Sequence, residues 1–329
     1  MSESTSDVDV QVLTGNNNLN SEDNSDSISM SKIDNLPEST VEKNPSTVVP
    51  NKINPTACAG GCNSNKPPLV YALGKIGYDF GSEARRDSFI QNMGGQNPNN
   101  PIQLLEYLNL GDYWKSNFHT VTRITWTLNI DQTPIYAIQP VGAFSEVGYK
   151  QLLDFLSAQI NEGVERVSVP GHVGGKVTLL SGQTVPVIVP ELVGMASWST
   201  SALVKAVVGD EKADSEKAKK ITNFLERIYY ELRNLGLSSQ ERALNYAATN
   251  AFQVEHVFDS CLQEALELDT IDVEPSPICR AGSDCWDVKL VFFNPKQRME
   301  RARDIHRFTI DVSDVIPVTV GNVKHWSVY

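Results

Sequence analysis

The stretch ITWTLNIDQTPIYAI, residues 124–138, alternates strictly. Ile124, Trp126, Leu128 and Ile130 fall on one face, and Pro134, Tyr136 and Ile138 follow Asp131-Gln132-Thr133. A period of two in residues of this kind is the pattern of a strand with one buried face, so the stretch predicts an antiparallel hairpin with a three-residue connection. KVTLLSGQTVPVIVP (176–190) predicts a second hairpin around Ser181-Gly182-Gln183. Val177 and Leu179 face one way with Val185, Val187 and Val189, while Pro186 and Pro190 withhold ladder donors, which suits an edge strand.

LVYALGKI (69–76) reads as a buried strand followed by a turn around Gly77 and Gly81. SEARRDSFIQNM (82–93) predicts a helix capped by Ser82 and stopped by Gly94-Gly95. NPNNPIQLLEYL (97–108) starts another, with Asn100 as cap and Pro101 in the first turn, where its missing N–H costs nothing. Residues 145–160 carry a helical stripe of Tyr149, Leu152, Leu153, Leu156 and Ile160.

After Trp198 the charged segment GDEKADSEKAKK (209–220) leads into a predicted helix bearing Ile221, Phe224, Leu225, Ile228, Leu232 and Leu235, ended by Gly236. Ser238 and Glu241 form a capping box for a second helix, expected to run to about Leu266 with Cys261 on its apolar stripe. The two helices predict a helical hairpin. CWDVKLVFF (285–293), HRFTIDV (306–312) and IPVTV (316–320) read as strands. The expected fold class is α+β, with mixed or antiparallel sheets, hairpins and a helical hairpin in the second half.

The chain has 329 residues, 40% of them apolar and 21% charged, with a net charge of -12. That balance argues against a nucleic-acid surface, which needs clustered Lys and Arg. No apolar run reaches the ~20 residues a membrane helix requires, and the opening MSESTSDVDV lacks the pattern of a secretory signal. The expected compartment is the cytoplasm. Residues 1–66 hold nine acids, four bases and no aromatic residue, so residues 1–55 are expected to be a disordered acidic tail.

Motifs of catalysis are hard to assemble. PGHVGGKVT (170–178) resembles a phosphate loop, but its glycines are one residue too close and Lys176 precedes Val177 rather than Ser or Thr. It reads as a turn entering the second hairpin. No serine sits in a nucleophile elbow, and the five histidines show no HExxH spacing. His172 is the most loop-like of them. Tyr78, Asp79, Arg85, Arg86 and Asp87 crowd into GYDFGSEARRD, where two arginines could clamp a carboxylate, although a surface ion cluster is the commoner use.

Five cysteines remain. Cys58 and Cys62 bracket Ala-Gly-Gly, and Cys279 and Cys285 sit in the Gly- and Pro-punctuated SPICRAGSDCWDV. Two pairs plus a helical spare fit a four-cysteine zinc site, two disulfides or free thiols. A zinc site would make residues 56–66 a knuckle-bearing linker.

Four stretches carry a family resemblance: LVYALGKIGYDFGSEARRDSFIQNM, VSVPGHVGGKVTLLSGQTVPVIVPELVGMASWS, ERALNYAATNAFQ, and SPICRAGSDCWDVKLVFFNP with HRFTIDVSDVIPVTVG. Together they resemble the C-terminal domain of PatG, the macrocyclising protease of cyanobactin pathways, a domain shared with the partner protease PatA. The resemblance covers about residues 67–326 and implies a PatG-like domain over 67–195 and a PatG C-terminal-like domain over 196–329. It implies a place in making ribosomal cyclic peptides but no activity, because this domain of the family has no assigned function and the subtilisin-like chemistry belongs elsewhere. It also implies zinc held by Cys58, Cys62, Cys279 and Cys285. The expectation is a non-catalytic accessory protein that binds cyanobactin precursor, cyclic peptide or sister maturation enzymes. The rival readings are an enzyme using the Tyr78 cluster or His172, and a homodimerisation module for the protease.

Overall fold

The structure, a computed structural model, describes residues 66–109, 113–199, 230, 233–249, 266–296 and 302–329. The predicted acidic tail, Cys58, Cys62, Cys261 and most of the predicted helical hairpin lie outside these residues.

The 124–138 hairpin forms as β2 (Thr125–Ile130) and β3 (Thr133–Ile138). Its connection is two residues rather than three, since Ile130 already faces Thr133. Asp131 and Gln132 take φ of 47° and 68°, the left-handed pair whose twist matches that of the flanking strands. A register shift after Leu128 absorbs Ile135 beside Pro134, which has no N–H for the ladder.

Around this hairpin the chain closes a barrel. β1 (Leu69–Asp79) pairs with β2; β3 pairs in parallel with β5 (Thr184–Pro190); β5 pairs with β4 (Arg166–Thr178); and β4 returns to β1. α1 (Glu83–Asn92), α2 (Pro101–Leu108) and α3 (Tyr113–Thr122) fill the β1–β2 connection, and α4 (Ser145–Asn161) joins β3 to β4. β6 (Ala196–Trp198) adds to β4 outside the ring. A five-stranded ring in the order 1-2-3-5-4 with one helix between β3 and β4 is the connectivity of the OB-fold.

Alternation decides the two faces. Val70, Ala72 and Ile76 of β1 point into the barrel with Trp126, Leu128, Tyr136, Val169 and Ile188, roofed by Leu152 and Leu156 of α4. Each of the larger fully buried side chains contributes about 1.5–3 kcal/mol through burial. Tyr71 and Leu73, one residue out of phase, face outward into a second core.

β1 does not turn at Gly77 but runs on to Asp79. Its glycines serve close approach instead: a Cβ on Gly74 would stand 2.7 Å from the Asn129 carbonyl oxygen, and one on Gly77 would strike the Asn129 side chain. PGHVGGKVT is likewise no turn. It is the C-terminal part of β4, which leaves β1 after His172 and carries a bulge between Val173 and Gly175 along β5. β5 is interior rather than an edge. Its pairing with β3 spans only Ala137–Val187 and Ile138–Ile188, so Pro186 and Pro190 fall on either side of that short seam.

The second core lies beside the barrel. β8 (Cys285–Phe293) and β9 (Arg303–Asp311) form where predicted, flanked by β7 (Glu267–Pro275), β10 (Val318–Thr319) and β11 (Lys324–Val328). β7 and β11 carry no predicted pattern, because a solvated edge strand rich in charge alternates poorly. α5 (Ser239–Thr249) opens on the predicted capping box: the Glu241 N–H donates to Ser238 Oγ at 3.1 Å, and the Ser238 N–H donates to Glu241 Oε2 at 3.1 Å. Ala243 of α5, with Val288, Leu290, Phe292, Phe308 and Ile310, buries Tyr71 and Leu73.

Candidate functional site

β1 is shared between two neighbours. Residues 69–74 pair with β4 and residues 75–79 pair with β2, so each side of the strand has an unpaired half. Both halves are met by carboxamides. On one side the Tyr71 N–H donates to the Gly236 carbonyl at 2.9 Å, and Asn245 Nδ2 donates to the Tyr71 carbonyl at 2.8 Å. On the other side the Ile76 N–H donates to Gln159 Oε1 at 2.7 Å, and Gln159 Nε2 donates to the Ile76 carbonyl at 2.9 Å. Gln159 thus makes the pair of bonds that a residue on a neighbouring strand would make.

Past Ile76 the half-edge stays open. A groove of about 470 Å³ runs there between β1, the α4 side chains Leu156 and Ile160, and Asn99 and Pro101 at the start of α2. Its size is that of a ligand site. Exposed Lys75 and half-buried Asn129 complete its lining, and Asn129 Oδ1 is buried without a hydrogen-bond partner among the described residues. A buried acceptor left unpaired is costly.

Of the residues singled out in the sequence, Tyr78 lies in this groove. Its hydroxyl donates to the Pro98 carbonyl at 3.0 Å, and burial pushes its pKa up to about 12. Asp79 is turned to backbone work: Oδ1 accepts from the Gly81 N–H at 2.6 Å and the Leu180 N–H at 2.9 Å, tying the end of β1 to the β4–β5 hairpin. Arg85 stacks over Gly81, with Nη1 3.2 Å from where a Cβ would sit. Arg86 makes a 3.4 Å surface ion pair with Asp87, an arrangement worth little in water. His172 stands apart. It faces Leu69 at the other end of β1, nine residues from Tyr78, on the order of 25–30 Å along the strand. The structure brings Tyr78, Asp79 and Arg85 to one end and leaves His172 at the other.

Cys279 and Cys285 meet. Both are free thiols, Cys279 exposed and Cys285 buried at the start of β8. Cys279 Sγ donates to the Ser283 carbonyl at 2.9 Å. Burial, then the hydrogen-bonded Cys279 thiol, pushes Cys285 up to about 12, against the backbone N–H of Arg280 turned toward its sulfur. Two adjacent sulfurs with a backbone amide aimed at one of them suit half of a thiolate metal site. Among the described residues no group of three or more His, Cys, Asp or Glu could hold a metal. Also among them, no helix is long and apolar enough to cross a membrane.

Gln159, Asn129 and Lys75 escape sequence reasoning. Gln159 sits between Leu156 and Ile160 on an apolar stripe, where one polar residue reads as a margin. The available signal is the pair Gly74 and Gly77 inside a strand, which marks close backbone approach.

The comparisons with known proteins agree with one another. The family described as PatG Domain matches residues 69–190, and the family described as PatG C-terminal matches residues 211–326. A solved structure described as a PatG domain of unknown function is similar at 42% identity and a TM-score of 0.71, covering 80% of this chain and 100% of that one. No curated protein matches the chain.

Proposed function

The chain belongs to the PatG domain family, and we propose that it is a non-catalytic accessory protein of cyanobactin maturation, stabilised by zinc and acting by binding peptide or sister maturation enzymes. The observation that carries this reading is the groove beside β1. It offers amide groups, an ammonium and an apolar floor, the inventory that holds a peptide. Tyr78, the titratable group at its centre, keeps its proton far above neutral pH and so serves as a donor rather than a base.

The cysteine pair supports the zinc. Cys279 and Cys285 would supply two ligands and Cys58 and Cys62 the other two. When bound, such an ion supplies a structural cross-link between the segment before β1 and the loop before β8. Burial that keeps Cys285 protonated without metal is what an ion would overturn on binding, because a coordinating thiol gives up its proton.

Incubating the purified protein with linear precursor and cyclised peptides, followed by mass spectrometry and a binding titration, tests the reading. Saturable binding with every peptide mass unchanged supports it. A mass change in any peptide removes the accessory role in favour of an enzyme.

A further inference from the structure

We propose that the half-edge of β1 left open at Tyr78, just beyond the Gln159 cap on Ile76, takes an extended, acidic segment of linear peptide as an added strand. The inference rests on the peptide-binding reading above and assigns it a site and a geometry. Peptide groups along a strand point alternately to its two sides, so those of Val70, Ala72 and Gly74 face β4, and those of Ile76 and Tyr78 continue on that side where β4 has gone. The Ile76 group is taken by Gln159 in strand fashion. The Tyr78 group comes next in phase, ~6.6 Å further along, and Tyr78 lines the groove. A peptide docked there would continue the line that the Gln159 carboxamide begins, adding main-chain bonds to an exposed sheet edge.

The side chains around the edge select the occupant. Leu156 and Ile160 floor the groove and suit one apolar side chain. Lys75 is exposed at its lip, and no ion pair joins it to a described residue, so a carboxylate on the peptide meets an uncommitted charge. Strand addition needs consecutive extended residues, and a small macrocycle bends too tightly to offer them. The site therefore favours a linear precursor over a cyclic product.

The test uses the full chain and a fluorescein-labelled linear peptide of about ten residues, alternating apolar residues with aspartate, beside its head-to-tail cyclised form. Fluorescence anisotropy should show the linear form binding more tightly. N-methylation of alternate amides should abolish binding in one phase and spare it in the other, because only one set faces β1. Lys75→Glu, at an exposed position that leaves folding alone, should weaken binding about tenfold and reverse the preference toward a lysine-bearing peptide. Binding that ignores both N-methylation and Lys75→Glu overturns this site while leaving peptide binding in place. No binding of either peptide overturns this site and counts against the peptide reading beneath it. A concentration-dependent dimer in light scattering that Lys75→Glu dissolves would instead make a second copy the occupant, and the proposal fails.

Discussion

Asn245, wholly buried on α5, donates through Nδ2 to the Tyr71 carbonyl of barrel strand β1 at 2.8 Å. The bond belongs to a closed set. Asn245 and Asn234 exchange carboxamide bonds at 2.8 and 2.9 Å, the Gly236 N–H donates to Asn234 Oδ1 at 2.9 Å, and the Gly236 carbonyl accepts from Tyr71. The Tyr71 hydroxyl and Thr249 Oγ1 close a further contact at 3.0 Å. Polar groups from the second half of the chain thus seal the half of β1 that Gln159 does not reach.

Replacing Asn245 by Ala strands the Tyr71 carbonyl and the Asn234 carboxamide in a dry setting. Urea denaturation should show a loss of about 2–4 kcal/mol. A loss below ~0.5 kcal/mol would mean that water enters and replaces the amide.

Gly236→Ala tests the same junction from the backbone. Gly236 has φ of 65°, and an added Cβ would collide with the Tyr71 carbonyl group. The variant should lose on the order of 3 kcal/mol. Gly95→Ala is the control, with φ of 88° and open space around its Cβ, and should lose only about 1 kcal/mol.

His306, buried on β9, has its pKa lowered to about 4 by burial first and then by the neighbouring His325, against the opposing pull of Asp304. Its ring lies 4.5 Å from that of His325 and edge-on to Phe292. Between the ordinary value near 6.5 and 4 the unfolded chain binds the proton and the folded chain does not. Stability contributed by neutral His306 is complete above pH ~6.5 and falls as the pH drops toward ~4, by roughly 2–3 kcal/mol in all. Thermal melts from pH 7 to 4 on wild type and His306→Phe check this. The variant should lose less stability over that range, and parallel curves would assign the acid loss to other groups.

Elemental analysis bears on the cysteines. The purified wild type should carry zinc, Cys279→Ser should carry much less, and a chelator should lower the melting temperature of the wild type but not of the variant. A metal-free wild type would leave Cys279 and Cys285 as a plain thiol pair.

Cyclised peptide should bind more weakly than its linear counterpart in the presence of wild-type protein, and Gln159→Leu should weaken the linear form further. The substitution removes both bonds to Ile76 and with them the start of the strand template. Equal affinity before and after the change would detach Gln159 from recognition.

Features set within a few residues of chain were legible before the fold was known. The alternation at 124–138 built a hairpin, Ser82, Asn100 and the Ser238–Glu241 box started helices, and the stripe from Tyr149 to Leu156 found the barrel core. Periodicity says which face a residue shows, never which strand lies beside it. Packing in three dimensions settled that β4 returns to close the barrel on β1, that proline-bearing β5 is interior, and that Gly77 lies in a strand close against Asn129 rather than in a turn. The groove had the same origin. It exists because β1 changes partners at Gly74, and the carboxamides that answer the change, Gln159 and Asn245, come from 83 and 174 residues away. A backbone hydrogen-bonding group must be paired wherever burial leaves it, and the partner that burial supplies is a matter of proximity in space, which no local pattern of residues records.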